Sequence, residues 1–159
     1  MVQDIPQLEA ALRVLIAAAL GAVIGFDRQR KDKAAGVRTH MLVAMGATLF
    51  MSGAALLKAD LGDVDSSTSV IRIDPTRVIQ GVVTGVGFIG AGQIFHDRDA
   101  VHGLTSAAGI WVTASIGVLV GLGHVVLPAV ATVVVFLVMT GLEPLEARLW
   151  GGRDPSEED

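Results

Sequence analysis

The sequence predicts an all-α membrane protein, a polytopic bundle of about five transmembrane helices. Three observations carry that prediction. The chain is 52% hydrophobic and only 18% charged, with a mean hydropathy of +0.60, too apolar for an ordinary soluble domain. Between Asp99 and Glu143 it has no Asp, Glu, Lys or Arg, and the run Ala100–Leu142 is broken only by His102 and His124. Two further charge-free runs, Thr39–Leu57 and Val78–His96, are each bounded by charged residues. A span takes roughly 20 residues, so the long run holds two and each shorter run holds one.

The first helix is expected near 8–26, although it carries Glu9 and, a turn further in, Arg13, which must snorkel or find a partner. The second is expected near 40–58 and the third near 77–95. The third has a plain start signal, because Asp74 can cap the free N–H groups and Pro75 follows where its missing donor costs nothing. Its glycines, Gly85, Gly87, Gly90 and Gly92, carry an intrinsic helix penalty of roughly 3 to 4 kcal/mol in total. Either neighbouring backbones pack closely on this helix, or it is locally broken beside a cavity.

The fourth helix, near 103–122, repeats Gly109, Thr113, Gly117 and Gly121 every fourth residue, a smooth stripe that predicts contact between helices three and four. The fifth, near 125–142, is bulky and apolar on all sides and reads as an outer, lipid-facing helix. The transmembrane domain is therefore expected over 1–145, with a short cytoplasmic tail over 146–159.

Charge sets the orientation. The segment Asp27 to Arg38 holds five Lys or Arg in twelve residues, whereas 59–76 holds Asp60, Asp63, Asp65 and Asp74 against Arg72 alone. The positive-inside rule makes the first loop cytoplasmic, so the N-terminus is expected outside and the C-terminus inside. The acidic start, Met1 to Glu9, lacks the positive region of a cleaved signal peptide, so the first apolar stretch is expected to remain. The absence of cysteine removes disulfides, thiolate nucleophiles and thiolate metal sites. A net charge of −4, with an acidic end at Asp154 and Glu157–Asp159, gives no basis for a nucleic-acid partner.

Several constellations invite a functional reading. Gly85-Val-Gly87-Phe-Ile-Gly90 matches the dinucleotide fingerprint in letters, but it lies within an apolar span and has no acidic residue about 20 positions later. His96, Asp97, Asp99 and His102 crowd the turn between helices three and four, as divalent-metal ligands or as a solvated turn. Asp60, Asp63 and Asp65 offer oxygen ligands without the spacing of a calcium loop. Asp27 and Arg38 sit at the mouths of helices one and two, where they could pair, while Asp27 could instead pair locally with Lys31 at i,i+4. Gln80 and Gln93 need partners within helix three, and Trp111 is either a packing knob or an interfacial anchor. No Ser, His and Asp set, paired acids or phosphate loop is found, so the residues give no enzyme and imply no cofactor.

Three stretches together resemble the MgtC/SapB family. They are Gly25-Phe-Asp-Arg through Gly36-Val-Arg-Thr-His to Gly46, Asp74-Pro-Thr-Arg through Gly85-Val-Gly-Phe-Ile-Gly-Ala-Gly92, and Gly103-Leu-Thr-Ser through Trp111. The matching positions are Asp27, Arg28, Gly36, Arg38, Thr39, Asp74, Pro75, Arg77, Gly87, Gly90, Gly92, Gly103, Thr105 and Trp111. At His40 several relatives have Asn, which weakens a metal reading there. The resemblance implies a multi-pass bacterial inner-membrane protein linked to growth at low magnesium, with Mg2+ as a possible ligand or transported ion. It also implies a regulator of another membrane protein, the membrane sector of ATP synthase or a cation pump; the alternative partner is a second copy of the chain, which a transporter of five helices would need. Small-residue faces, Gly117 included, are expected to make that contact. The virulence members of the family carry a soluble domain after the last span, whereas this sequence ends soon after Trp150, as a short form would. The competing expectation is a cation transporter or channel lined by Asp27, Arg38 and Gln93.

Overall fold

The computed structural model describes residues 4–61, 74–97 and 100–142. Five helices appear in it: α1 (Asp4–Arg30), α2 (Val37–Leu61), α3 (Pro75–Gln93), α4 (Leu104–Gly121) and α5 (Val126–Gly141). A two-stranded antiparallel hairpin, β1 (Phe95–Asp97) with β2 (Ala100–His102), joins α3 to α4 and pairs Phe95 with His102. Among the described residues three helical stretches are long and apolar enough to cross a membrane: Gln7–Arg30, Val37–Ala59 and Leu104–Gly121. α5 is apolar but shorter, at 16 residues, and the 19-residue α3 is diluted by Arg77, Gln80, Gln93 and its glycines. The tail over 146–159 and the acidic loop residues Asp63 and Asp65 lie outside the described residues, as does the side chain of Asp60.

The first two helices run further than their charge-free runs. Hydropathy marks only the part of a helix that sits in hydrocarbon, while the helical hydrogen-bond ladder continues into the polar headgroup zone. α1 therefore carries Asp27, Arg28 and Arg30 in its last turn, and α2 begins before Arg38.

α2 lies between α1 and α4. Glycines on both neighbours let the backbones approach. A Cβ on Gly21 of α1 would fall 2.7 Å from the His40 carbonyl oxygen, and one on Gly25 would fall 2.6 Å from Val37 Cα. On the other side, a Cβ on Gly117 of α4 would collide with the Ala44 carbonyl oxygen, and one on Gly121 would fall 2.6 Å from Met51 Cβ. In lipid the apolar surroundings of a helix are no worse for it than another helix, so close van der Waals packing of this kind is what holds a bundle together. The core follows the seams: Ala17, Ala44 and Val120 form one cluster, and Ala47, Met51, Val82, Val86, Ile110, Ala114 and Val118 belong to another.

The predicted contact between α3 and α4 is present, but it does not use the α4 glycine stripe. α3 meets α4 through Gly90, whose added Cβ would lie 3.7 Å from Ala107, together with Val82 and Val86. Gly109, Thr113, Gly117 and Gly121 face away from α3: the last two abut α2, Thr113 bonds to His40 of α2, and Gly109 lies against His40 and Met139 of α5. Gly117 is thus consumed inside the fold, which corrects the expectation that it meets a partner. Nor is α3 broken. It is one continuous helix, and a Cβ on Gly81, Gly85, Gly87 or Gly92 would meet nothing within 4 Å. α5 has the expected outer character, with Val126, Leu127, Val130, Val133, Val134, Leu137 and Val138 exposed.

These seams predict opposite outcomes for two glycine substitutions. Gly117→Leu forces a branched side chain into the Ala44 backbone and is expected to lower stability by about 2 to 3 kcal/mol or prevent folding. Gly85→Ala, on the open face of α3, is expected to raise stability by roughly 0.5 to 1 kcal/mol through helix propensity alone. Thermal unfolding of the two variants in mild detergent measures both.

Candidate functional site

The polar residues of α1, α2 and α4 concentrate where the α1–α2 turn closes one end of the bundle. Asp27 and Arg28, adjacent at the end of α1, are both buried, Arg28 to 1% exposure. Arg28 Nη2 donates to Ser106 Oγ, 3.3 Å away in the first turn of α4. Asp27 Oδ2 is 3.1 Å from Lys31 Nζ, which also donates to the Met139 carbonyl of α5 at 3.2 Å. Of the two pairings open to Asp27, the structure therefore has the local one. Arg38 is exposed and makes no ion pair among the described residues.

One turn into the bundle His40 is fully buried, and its Nδ1 lies 2.8 Å from Thr113 Oγ1. Thr113 directs its single hydroxyl proton to the Gly109 carbonyl at 2.8 Å. A proton so placed leaves the oxygen to accept from His40 Nδ1, the tautomer whose lone pair is on Nε2. That Nε2 has no hydrogen-bond partner among the described residues. Further along α2, the Thr48 hydroxyl is shared between its own Ala44 carbonyl at 2.9 Å and the Gly117 carbonyl of α4 at 2.8 Å. Ser52 continues the row, buried, with its Oγ unpartnered among the described residues.

At the opposite end Arg13 resolves the problem it poses inside a span. Its Nη1 donates to the carbonyl of Gly121, the last residue of α4, at 2.9 Å, and its Nη2 pairs with Glu9 at 2.5 Å. A cation at a helix C-terminus also meets the negative end of the helix dipole. With Arg28–Ser106 at one end and Arg13–Gly121 at the other, α1 and α4 run antiparallel, as an alternating bundle requires.

The remaining positions are placed as follows. Asp74 caps α3 as predicted, accepting from Thr76 N at 2.9 Å and Thr76 Oγ1 at 2.7 Å, with Pro75 beginning the helix. These hydrogen bonds hold its carboxyl below the usual aspartate value of 3.8. Arg77 and Thr105 are exposed, Thr39 is half-buried, and Trp111 is 49% exposed near the middle of α4. Gly36 lies against the Gln29 side chain. Gly103 has φ +82° and stands hard against the Gln93 carbonyl, where any side chain would be strained and blocked. Gln80 is exposed, and Gln93 Oε1 is buried without a partner among the described residues. The fingerprint Gly85–Gly90 sits wholly inside α3, its backbone in the helical ladder rather than in a phosphate-binding turn.

The ion-binding candidates fare differently. Asp99 and the side chains of His96 and Asp97 lie outside the described residues, and the His102 ring stacks on Phe95 at 5.2 Å between centroids. Among the described residues no three His, Asp or Glu gather as metal ligands. Asp27, the carboxylate of the buried cluster, is engaged by an ammonium beside a buried guanidinium, a poor donor set for Mg2+, which wants several oxygens.

Residues 14–148 match the model of the MgtC family. The chain belongs to the MgtC family. It is 42% identical to YhiD of Escherichia coli (strain K12), described as a candidate magnesium transporter, over 89% of this chain and 64% of YhiD. It is 39% identical to SrpB of Synechococcus elongatus over 90% of this chain and 80% of SrpB, and 42% identical to MgtC of Brucella abortus (strain 2308) over 79% and 48%. The chain thus spans less than two thirds of YhiD and about half of the Brucella protein. No solved structure matches it at a significant level. Family membership and the apolar helices make it a multi-pass bacterial membrane protein.

Sequence reasoning missed His40, Thr48, Ser106 and Thr113 as one set. The signal was present: His40, Ala44, Thr48 and Ser52 recur every fourth residue on α2, opposite the α4 stripe of the same period.

The Asp74 cap carries a pH dependence. A depressed carboxyl stabilises the fold at pH values above its unfolded value, and that contribution disappears as pH falls through the lower folded value. The stability difference between the wild type and Asp74→Ala is therefore expected to be constant near neutrality and to shrink below pH 3.8, which melting in detergent across an acid series reads directly.

Proposed function

We propose that this chain is a non-enzymatic inner-membrane protein, N-terminus outside, that supports magnesium homeostasis by binding another membrane protein through the outer face of α3. The observation that carries the reading is the contrast between the two outward helices. α5 shows lipid the valines and leucines expected of a solvated membrane surface. α3 turns outward Gln80, Gly81, Thr84, Gly85, Gly87, Ala91 and Gly92 among the exposed apolar residues Val83, Phe88 and Ile89, of which Phe88 is 84% exposed. A glutamine amide and flat glycines are costly against lipid and suit a second helix, which can approach closely and satisfy the amide.

The magnesium link is supported by the name of YhiD, and the regulatory reading by the closed seams. Where α2 meets α1 and α4, backbone lies against backbone, too close for an ion that keeps part of its water shell. The partner is a membrane protein such as the ATP synthase membrane sector or a cation pump, reached from the α3 side.

Two arms test this. In a bacterium lacking its own family member, the wild type is expected to restore growth at low magnesium, and Gly85→Leu to lose most of that restoration while reaching the membrane in normal amount with an unchanged melting point. In proteoliposomes the purified protein is expected to give no Mg2+ uptake above empty vesicles. Uptake that Asp27→Asn abolishes makes the protein a transporter and overturns the proposal.

A further inference from the structure

Four of the five cations at the α1–α2 turn divide into two sets, the fifth, Lys33, being half-buried. Arg28 and Lys31 turn inward, onto Ser106 of α4 and Met139 of α5. Arg30 and Arg38 are exposed, and neither makes an ion pair among the described residues. Each stands one turn beyond an exposed apolar residue. The Arg30 guanidinium lies 5.8 Å above the ring of Phe26, itself 57% exposed, and Arg38 precedes Leu42, 67% exposed, by four residues. One helical turn is roughly 6 Å along the axis, about the distance from the first acyl carbons to the phosphate level.

We infer that the α1–α2 turn binds anionic phospholipid at Arg30 and at Arg38, with Phe26 beside the first and Leu42 one turn from the second to meet the upper acyl chains. A guanidinium laid on an aromatic face keeps its N–H edge free for bidentate contact with phosphate, a geometry that lysine cannot supply. The choice of an anionic headgroup follows from charge. Asp32 is the exposed carboxylate of the described turn, against two exposed arginines, so a headgroup carrying its own cation gains less here than one that does not. The apolar neighbours select a lipid over free phosphate, because inorganic phosphate has nothing to place against Phe26 or Leu42. The site is independent of the α3 face and of the role proposed for it.

The test uses the full chain in mild detergent, with retained lipid counted by native mass spectrometry and melting followed in parallel. The wild type is expected to retain dioleoylphosphatidylglycerol in preference to dioleoylphosphatidylcholine and to melt higher with it, while inorganic phosphate gives no shift and does not displace it. Arg30→Gln with Arg38→Gln is expected to weaken retention about tenfold or more. Lys58→Gln, at the other end of α2, is expected to retain lipid as the wild type does. Should the double variant fail to fold, Arg30→Lys with Arg38→Lys keeps the charge and is expected to fall between the two. Undiminished retention in both double variants, equal retention of phosphatidylcholine, or displacement by inorganic phosphate would each overturn the inference.

Discussion

Backbone pressed on backbone along both sides of α2 is the contact on which the rest of this bundle depends. Gly21 and Gly25 on α1, and Gly117 and Gly121 on α4, remove the side chains that would otherwise hold the helices apart. Between apolar helices in lipid there is little hydrophobic drive to associate, so affinity must come from contact area and hydrogen bonds. The glycines supply the first and make the second possible. Thr48 reaches a carbonyl of α4, and His40 reaches Thr113, because the two helix axes are close.

The same constraint decides where charge goes. The seams hold neutral polar groups, whereas the ion pairs sit at the ends, Asp27–Lys31 beside the α1–α2 turn and Glu9–Arg13 at the far side. In each case a cation also bonds to the carbonyl of another helix in or near its last turn, Met139 of α5 or Gly121 of α4. These are fastenings between helices, and they leave the interior closed. What the interior does not use is the outer side of α3, whose inner side packs on α4 through Gly90, Val82 and Val86. Four glycines of α3, Gly81, Gly85, Gly87 and Gly92, stand on that outer side with nothing within 4 Å of an added Cβ.

Much of the architecture was legible from charge-free runs, because lipid permits few alternatives to a helix of about 20 residues. The Asp74 and Pro75 start was legible because capping is local. The direction of the α4 stripe was not: period four says that a face is smooth, and only tertiary packing says whether α2 or α3 lies upon it. Asp27 shows the same limit, since its neighbours at i+4 and across the hairpin were equally available on paper, and the inward turn of α1 chose Lys31. The hairpin at 95–102 was hidden in a stretch too short and too mixed for strand periodicity to show. The family motif pointed to Asp27, Arg28 and Gly103, which are buried in the structure, but not to His40 and Thr113, whose pairing joins two stretches far apart in sequence.

The most direct test of the α2–α4 seam is the state of the His40 imidazole in a bilayer. Nitrogen-15 solid-state NMR, with His40→Gln used to assign the signal among the four histidines, reads which ring nitrogen holds the proton. A seam as close as described here predicts a neutral ring protonated on Nδ1, slow to exchange with water, whose signal shifts in Thr113→Val. A ring protonated on Nε2, exchanging freely and indifferent to Thr113→Val, would mean that α4 does not lie against α2, and the account of the bundle would fail with it.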